Sequence, residues 1–390
     1  MAKFETLVRQ TEIPRRLDLT KLLEKKSFFL LGARGTGKTS LIRKTLPDLP
    51  RYDLLSATTF ATLSRRPELI GEEQRDSSIP VVIDEIQKLP QLLDEVQRLI
   101  EERGMRFLLT GSSARKLKRG GANLLAGRAW EARLFPLVSD ELGDFDLSRY
   151  LVRGGLPAVW LSEEPWEELR AYVGTYLKDE VMAEALVRRI DTFSAFLELS
   201  ALRCVEEINF EAFGSDLGVN GKTVRNFFEV LEDTLVGFLL RPYKKTIRRK
   251  ATSRAKFFLF DLGVTNCLAG RREIPMGTET FGKAFEHFIA LELRAYLSYK
   301  RSDLELAFWR TDGGYEVDFT VGSQVAIEVK GSELVTERNL SGLRALKEEK
   351  IFSSYCVVSR DRAVRELDGI QIFPWRVFLK KLWNDEIVSA

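Results

Sequence analysis

Histidine and cysteine are scarce in this chain of 390 residues, which contains one histidine and three cysteines. The single histidine, His287, excludes metal sites built from several histidines and argues against a Ser-His-Asp catalytic triad. The cysteines lie far apart and form no Cys-x-x-Cys pair, which argues against a disulfide framework and a cysteine-rich zinc site. Any metal ion bound here should therefore be a hard cation with oxygen ligands.

Long apolar runs and a large net charge are also missing. No apolar run reaches the roughly 18 residues of a membrane-spanning helix, and Met1 to Gln10 lack the apolar core of a signal peptide. We therefore expect a cytoplasmic protein with no membrane partner. The 60 Lys and Arg residues exceed the 57 Asp and Glu residues by three, so any surface that attracts nucleic acid must be local.

The first part of the chain, up to about residue 145, has the pattern of an α/β domain. Short apolar runs alternate with helical patterns such as Leu92 to Arg103, which predicts a parallel sheet covered by helices on both faces. The predicted strands are Phe28 to Leu31, Arg51 to Leu55, Val81 to Asp84, Arg106 to Thr110 and Ala132 to Leu134.

The remainder is predicted to be helical at first and then mixed. Trp166 to Leu186 and Phe193 to Cys204 have helical patterns. Strands return after residue 256 around a helix from Phe281 to Ser298, which indicates a second α/β unit; they are Phe257 to Phe260, Glu305 to Trp309, Val317 to Val321, Val325 to Val329 and Ser354 to Val358. We accordingly place domains at residues 1–145, 146–250 and 251–390.

A complete phosphate-binding motif lies near the start of the chain. Residues 32–39 read Gly-Ala-Arg-Gly-Thr-Gly-Lys-Thr and match G-x-x-x-x-G-K-[ST], between a predicted strand and a predicted helix. Lys38 should reach the β- and γ-phosphates of ATP, and Thr39 should bind Mg²⁺. A plain glycine turn before a helix is the alternative. The expected nucleotide-binding residues are Gly32, Gly35, Thr36, Gly37, Lys38, Thr39, Ser40 and Thr110.

Two carboxylates, Asp84 and Glu85, follow a buried strand at the end where open sheets bind ligands. Asp84 should hold Mg²⁺ and Glu85 should polarise the attacking water, unless both are merely solvated caps of the next helix. A strand inserted in space between these two motifs, with a Glu after the Asp, is typical of the additional-strand class of P-loop ATPases. The strand candidate between the motifs in sequence is Arg51 to Leu55.

Three further residues are candidates to complete the ATP site. Thr110 or Ser112, at the end of the next strand, could contact the γ-phosphate or the water, although a helix N-cap explains a serine there equally well. Arg128 is a candidate for the cation that stabilises the transition state, with an ordinary surface arginine as the alternative. If Arg128 acts in trans, ATP hydrolysis requires a homo-oligomer.

The middle part contains a predicted helix-turn-helix from Phe210 to Asp233. In the second helix, apolar residues at helical spacing face a core, and Lys222, Arg225 and Asn226 lie on the other side. In a DNA-binding protein that side would enter the major groove. The run Arg241 to Lys256, with eight Lys or Arg and no acidic residue, could follow phosphates. The alternative is a helical lid on the ATPase with a solvated basic loop.

Acidic residues and a lysine form a second pattern near the C-terminus. Asp318 and Glu328 lie on the two strands of a predicted hairpin, Lys330 shares the face of Glu328, and Glu286 lies on the preceding helix. This order resembles the PD-(D/E)xK phosphodiesterases, although Val317 replaces the usual proline. Asp318 and Glu328 would hold Mg²⁺ with help from Glu286, and Lys330 would orient the water. Otherwise this is a strand with one exposed face, and His287 is expected to be structural.

The ordered motifs resemble those of prokaryotic AAA-type ATPases joined to a C-terminal domain of unknown function. The stretches that carry the resemblance are GARGTGKTS, VVIDEIQKLP, LLTGSSARKL, LLAGRAWEARLFPLVSDEL, YLVRGGLPAVW, LGVNGKTVRNFFEVLEDT, FFLFDLGV, FGKAFEHFIALEL and EVDFTV…VAIEVKG. The resemblance implies an α/β chain with an AAA-type ATPase core, a helical, winged-helix-like middle segment and a C-terminal restriction-endonuclease-like domain. It does not imply a substrate.

Two functions fit these patterns. The first is an ATP-hydrolysing enzyme, with ATP and Mg²⁺ as cofactors, whose C-terminal domain binds or cuts DNA or RNA. The alternative is an ATP-driven switch whose inactive nuclease-like domain binds a protein partner. Salt-dependent binding of nucleic acid would favour the first. A kinase acting on a small acceptor is disfavoured by the acidic pair Asp84 and Glu85.

Overall fold

The computed structural model describes residues 13–112, 124–181, 190–246 and 248–389. These residues form a mixed α/β structure with one sheet of five strands and one of eight. Part of the predicted helix Trp166 to Leu186 and half of the motif LLTGSSARKL lie outside the described residues. Within the described ranges, no helix is long and apolar enough to cross a membrane.

The five-stranded sheet is parallel throughout and has the order β2-β3-β4-β1-β5. Its strands are β1 (Ser27–Leu31), β2 (Arg51–Asp53), β3 (Val81–Asp84), β4 (Phe107–Gly111) and β5 (Ala129–Arg133). Every residue of β1, β3 and β4 is buried because apolar clusters cover both faces of the sheet.

The strand inserted between the phosphate-binding strand β1 and the acidic strand β3 is β4. The candidate Arg51 to Leu55 instead forms the short edge strand β2, paired only with β3 among the described strands. The additional-strand order is therefore present, but a later segment supplies the inserted strand. Sequence order misleads here because the most apolar strands occupy the centre of a doubly covered sheet, where every residue is buried.

Helices α1 (Leu19–Lys25), α2 (Lys38–Thr45), α3 (Ala57–Arg65), α4 (Leu69–Glu73) and α5 (Leu92–Arg103) surround this sheet. Helix α5 has the bounds that the sequence predicts, Leu92 to Arg103. It buries Leu92, Val96 and Leu99 at helical spacing and ends at Gly104, whose left-handed backbone (φ 64°) forms the C-cap.

The middle of the chain is helical. It contains α6 (Leu147–Arg153), α7 (Pro157–Leu161), α8 (Pro165–Ala171), α9 (Ile190–Leu202), α10 (Phe210–Leu217) and α11 (Gly221–Asp233). Helix α8 continues as a π-helix over Tyr172–Val181, so the predicted long helix changes its hydrogen-bond period part-way. The predicted pair of helices in 210–233 is present as α10 and α11, each with an Asn side chain as N-cap.

The eight-stranded sheet has the order β12-β13-β11-β10-β9-β8-β6-β7. Its strands are β6 (Gly237–Pro242), β7 (Lys256–Leu259), β8 (Leu306–Arg310), β9 (Glu316–Val321), β10 (Val325–Lys330), β11 (Ser354–Ser359), β12 (Arg365–Leu367) and β13 (Ile370–Pro374). The predicted hairpin is present as the antiparallel pair β9 and β10. Strands from both sides of residue 250 pair as β6 and β7, so this sheet begins before the predicted third domain.

Helices α12 (Leu262–Leu268), α13 (Glu279–Tyr299), α14 (Ser341–Lys347) and α15 (Trp375–Trp383) complete the fold. Helix α13 packs with α15 in a large apolar cluster on one side of the sheet, and α14 packs in a separate cluster with β9, β10 and β11. The long helix α13 also contacts β5, so it links the two sheets.

Candidate functional site

The phosphate-binding loop lies between β1 and α2, at the carboxyl edge of the five-stranded sheet. A Cβ added to Gly32 would lie 2.5 Å from the carbonyl oxygen of Leu134, so a side chain there would collide with backbone. Gly35 and Gly37 have φ angles of 79° and 93°, which only glycine adopts readily. The loop therefore needs glycine at these places to curl over the strand end.

Lys38 is buried and its ammonium folds back over this loop. Its Nζ donates hydrogen bonds to the carbonyl oxygens of Gly32 at 2.7 Å and Ala33 at 3.3 Å. Burial lowers the pKa of Lys38, although the nearby carboxylates of Glu85 and Asp84 act in the opposite direction. The ammonium thus lies across the concave side of the loop, where an anion would meet it.

Asp84 is the centre of a hydrogen-bonded group at the end of β3. Its carboxylate accepts hydrogen bonds from Thr39 Oγ1 at 3.1 Å and from the Thr110 hydroxyl. It also forms an ion pair with Arg51, whose Nη2 lies at 2.9 Å. The structure thus brings together Thr39, Asp84 and Thr110 from three separate segments. Arg51 was not predicted, because a single arginine at the start of a short strand forms no recognisable pattern.

Glu85 begins the turn after β3 with a left-handed backbone (φ 62°). Its backbone N–H donates to Thr110 Oγ1 at 2.9 Å, and its side chain contacts Gln87, which also donates to Ser112 Oγ at 3.1 Å. Thr110 is therefore bonded to both members of the acidic pair, whereas Ser112 reaches Glu85 only through Gln87.

Arg128 and Arg15 differ in their relation to the phosphate-binding loop. Arg128 Nε lies 2.6 Å from Glu101 Oε1 of α5, and its side chain is 35% exposed. The Arg15 side chain is only 6% exposed, and it donates to the carbonyl oxygens of Thr36 at 2.7 Å and Phe135 at 2.6 Å and to Glu141 at 2.9 Å. Arg15, which no sequence pattern predicted, supports the loop from below.

The predicted C-terminal residues also converge. Val329 N–H donates to Asp318 Oδ2 at 2.7 Å, and Lys330 Nζ contacts the Glu328 carboxylate. An unpredicted lysine joins them, because Lys256 Nζ lies 2.9 Å from Glu286 Oε1 and 3.9 Å from Asp318 Oδ1. We call this group, together with Glu316, the carboxylate cluster; its members are Lys256, Glu286, Glu316, Asp318, Glu328 and Lys330.

Burial and mutual repulsion disfavour negative charge on two members of the carboxylate cluster, Glu286 and Glu328. Burial, followed by the charge of Asp318, raises the pKa of Glu286 to about 7, and the same two causes raise the pKa of Glu328 well above its usual range. Burial alone would lower the pKa of Lys256, but the surrounding carboxylates have the larger combined effect, so the pKa is raised above its ordinary value. Lys256 is therefore a firmly charged ammonium.

The carboxylate cluster does not fit a resident divalent metal as it is arranged. Oxygen donors of this kind suit Mg²⁺, but the Lys256 ammonium already contacts Glu286 and Glu316 and faces Asp318. Among the residues that the structure describes, no group of three or more His, Cys, Asp or Glu side chains is arranged to hold a metal ion. The neighbouring His287 is buried, with Nε2 at 2.6 Å from the Leu259 carbonyl oxygen.

Exposed polar residues of the middle segment form a third candidate region. On α11, Val224, Phe227 and Leu231 are buried, whereas Lys222, Arg225 and Asn226 are exposed, as the helical spacing predicts. The basic run is divided. Lys256 and Arg249 form ion pairs with carboxylates. Other cations of the run line a surface cleft of about 280 Å³, whose lining residues are Arg241, Pro242, Tyr243, Lys244, Lys245, Ser253, Ala255 and Glu305.

Three consecutive segments of the chain each match a known protein family. Residues 24–143 match a family described as an AAA domain, which supports an AAA-type ATPase and agrees with the parallel five-stranded sheet. Residues 144–274 and 281–378 each match a domain of unknown function. Fold similarity to nucleases is therefore not established for the C-terminal part.

Three relatives that match between 58% and 77% of this chain are each described as an uncharacterized protein. An uncharacterized protein of Mycobacterium tuberculosis is 26% identical over 77% of this chain and 69% of its own length. An uncharacterized protein of Haemophilus influenzae is 23% identical over 58% of this chain and 60% of its own length. One of Methanocaldococcus jannaschii is 22% identical, over 61% and 57% respectively.

Proposed function

We propose that this protein binds and hydrolyses ATP at the loop of residues 32–39, and that the nucleotide state controls binding of nucleic acid by the middle and C-terminal parts. One observation carries the enzymatic part. Thr39, Asp84 and Thr110 meet by direct hydrogen bonds at the sheet edge, beside the buried Lys38. A loop lysine, a loop Ser or Thr and a strand-end Asp are the residues with which P-loop NTPases hold phosphates and Mg²⁺, and Lys38, Thr39 and Asp84 supply this set.

The residues have distinct roles in this proposal. Lys38 exchanges its carbonyl partners for the β- and γ-phosphate oxygens, and the loop N–H groups, from Gly32 to Ser40, bind the remaining oxygens. Mg²⁺, held by Thr39 and Asp84, would neutralise charge that develops on the phosphates. Glu85 accepts a proton from the attacking water, and Thr110 holds the backbone of Glu85 in place through its hydroxyl.

Arg128 supplies a cation to a neighbouring subunit in this proposal. Its guanidinium lies on the surface against Glu101 and is partly exposed, so a second chain can reach it. A transition-state arginine of this kind accelerates hydrolysis by roughly 10³ to 10⁵. Hydrolysis per subunit should then increase with protein concentration in wild type and should stay at a low, constant value in Arg128→Ala.

Exposed cations support the nucleic-acid part of the proposal. Lys222 and Arg225 lie on the exposed side of α11. The segment after α11 supplies three more exposed cations, which line the surface cleft: Arg241, Lys244 and Lys245. The antiparallel pair β6 and β7 after α11 resembles the wing that accompanies a recognition helix. Phosphate contacts of such cations make affinity fall steeply with salt concentration.

One observation favours the second candidate, an ATP-driven switch that binds a protein partner. Lys256 and Arg249, two cations of the basic run, contact carboxylates of the protein itself. They are therefore unavailable to phosphates, which leaves a smaller basic surface than the sequence indicates.

A combined assay tests the proposal. ATP hydrolysis, and binding and cleavage of single- and double-stranded DNA and RNA, are measured for wild type, Lys38→Ala and the double variant Lys244→Ser/Lys245→Ser. We expect Lys38→Ala to abolish hydrolysis, and the double variant to retain hydrolysis but lose nucleic-acid affinity and reduce its salt dependence. Failure of wild type to bind any nucleic acid at low salt, with hydrolysis intact, would reject the coupling and favour the switch.

A further inference from the structure

The carboxylate cluster contains its own cation. Lys256 is the first residue of β7, and its side chain is 4% exposed. Its Nζ lies 2.6 Å from Glu316 Oε1 and 2.9 Å from Glu286 Oε1, so it bridges strand β9 and helix α13. The Phe308 ring, centred 5.3 Å from Nζ, lies beneath it and keeps water away.

Cations of the protein itself already contact the carboxyl groups of this region. Besides Lys256, Arg310 Nη1 lies 3.3 Å from Glu316 Oε2 and Lys330 contacts Glu328. A divalent ion among Glu286, Asp318 and Glu328 would meet the Lys256 ammonium at close range, and buried like charges repel strongly. One carboxylate oxygen, Glu328 Oε2, is buried without a hydrogen-bond partner.

We propose that Lys256 is the resident cation of the carboxylate cluster and takes the place of a divalent metal ion, which makes the C-terminal part a binding scaffold without phosphodiesterase activity. The unpartnered oxygen of Glu328 and the carboxylates of Asp318 and Glu286 would form a metal site only when the ammonium is removed. This proposal refines the C-terminal part of the proposed function and is independent of ATP hydrolysis.

The test measures Mn²⁺ binding to the full chain without nucleotide, by titration followed with the electron paramagnetic resonance signal of free Mn²⁺. Wild type and Asp318→Asn should bind Mn²⁺ equally weakly. Lys256→Met should gain one site about tenfold or more tighter, because an ammonium at contact distance no longer repels the ion. The combined variant Lys256→Met/Asp318→Asn should lose that site.

Lys283→Met is the matched control. Lys283 on α13 also bridges two carboxylates, at 2.7 Å from Glu206 and 2.8 Å from Glu279, but lies outside the carboxylate cluster. It should leave Mn²⁺ binding unchanged. The proposal is overturned if wild type binds Mn²⁺ tightly and Asp318→Asn abolishes that binding, a comparison that remains valid even where Lys256→Met does not fold. A folded Lys256→Met with no gain in Mn²⁺ affinity overturns it equally.

ATP hydrolysis is measured on the same samples. Absence of ATP hydrolysis by wild type would reject the proposed ATPase activity without affecting the Mn²⁺ result. Conversely, tight Mn²⁺ binding at Asp318 would reject the role of Lys256 while the ATPase proposal stands. The two proposals can therefore fail separately.

Discussion

Glu85 is the residue of the proposed ATP site at which the exchange of one side-chain atom should separate ATP binding from ATP hydrolysis. Its backbone is held in a left-handed conformation and bonded to Thr110, so its carboxylate leaves the strand at a fixed angle. Glu85→Gln keeps the shape but removes proton acceptance. We expect ATP turnover to fall by about 10² to 10⁴-fold with ATP affinity nearly unchanged, as measured by phosphate release and equilibrium nucleotide binding.

The matched control for this change is Glu95→Gln on α5, where the carboxylate pairs with the exposed Arg98. It should leave both turnover and affinity at their wild-type values. Equal turnover in Glu85→Gln and wild type would show that another group accepts the proton, and the role of Glu85 would then be rejected.

Thr110 joins the two acidic residues through one hydroxyl, which donates to Asp84 and accepts from the Glu85 N–H. Thr110→Val keeps the volume but leaves the Glu85 N–H and a buried Asp84 oxygen without this partner. We expect a loss of about 1–3 kcal/mol in the free energy of unfolding, with a larger fall in kcat than in ATP affinity. Thr110→Ser retains the hydroxyl and should behave like wild type in urea unfolding and in turnover.

At the scale of elements, helix α13 connects the two candidate sites. Glu286 near its beginning belongs to the carboxylate cluster. Tyr299 at its end donates no bond to the loop itself, but its hydroxyl accepts from Phe135 N–H at 3.2 Å and lies 3.4 Å from Arg15 Nη2. Arg15 in turn donates to the Thr36 carbonyl oxygen of the phosphate-binding loop. A change in that loop therefore reaches α13 through two hydrogen bonds.

This connection predicts that nucleotide binding slows amide hydrogen exchange in the last turns of α13. Tyr299→Phe removes the hydroxyl that Arg15 contacts, so the effect of a non-hydrolysable ATP analogue on exchange in that region should be lost or strongly reduced. Tyr296→Phe is the control on the same helix, since its hydroxyl contacts Asp385 and the Val388 carbonyl oxygen instead. An equal nucleotide effect in all three proteins would contradict the connection.

Elements with strong local patterns could be predicted from sequence, and long-range partners could not. The strands around Val82 and Leu108, helix α5 and the hairpin of β9 and β10 follow from apolar spacing and turns. The position of β2 at the sheet edge depends on which strands bury more surface, a global property. The switch of α8 to a π-helix likewise has no signal in the apolar spacing.

The candidate sites show the same division. Thr39 could be predicted from the phosphate-binding motif, and Asp84 and Thr110 could be predicted because each lies at the end of a strand that is set by local pattern. Arg51 and Lys256 could not. Arg51 reaches Asp84 only through the pairing of β2 with β3, and Lys256 reaches Glu286 on α13 and Glu316 on β9 only through tertiary packing. Membership in the basic run indicated that Lys256 is a surface cation. Its position directly before the buried Phe257, at the start of a strand, indicated burial instead.

At the scale of the whole molecule, the one histidine links the free energy of unfolding to pH. Burial lowers the pKa of His287 to about 4, against an ordinary value of 6.5. A group whose pKa is lower in the folded state binds more protons when unfolded, so its stabilising effect is present above pH 6.5 and is lost as pH falls toward 4. The wild type should therefore lose about 2–3 kcal/mol between about pH 7 and pH 4.5 through His287 alone.

Buried carboxyl groups oppose this loss over part of the same range. Burial raises the pKa of Asp261 to about 6 and that of Glu292 to about 7. Because these acids bind protons more tightly when folded, they stabilise the protein as pH falls, and their stabilising effect is lost as pH rises through 6 to 7. The total pH profile is consequently flat or mixed, and only a comparison with a variant isolates His287.

His287→Gln provides that comparison, because glutamine can still donate to the Leu259 carbonyl oxygen but does not titrate. The stability difference between wild type and His287→Gln, measured by urea unfolding, should shift against wild type by about 2–3 kcal/mol from about pH 7 to pH 4.5. Cys204→Ala disturbs the same packing, since Cys204 Sγ lies 3.7 Å from His287 Nδ1. Burial raises the pKa of Cys204 to about 12, so the difference between wild type and Cys204→Ala should not change over this range. A pH-independent difference for His287→Gln would mean that the histidine titrates alike in the folded and unfolded chain, and that the helix carrying it is open to water.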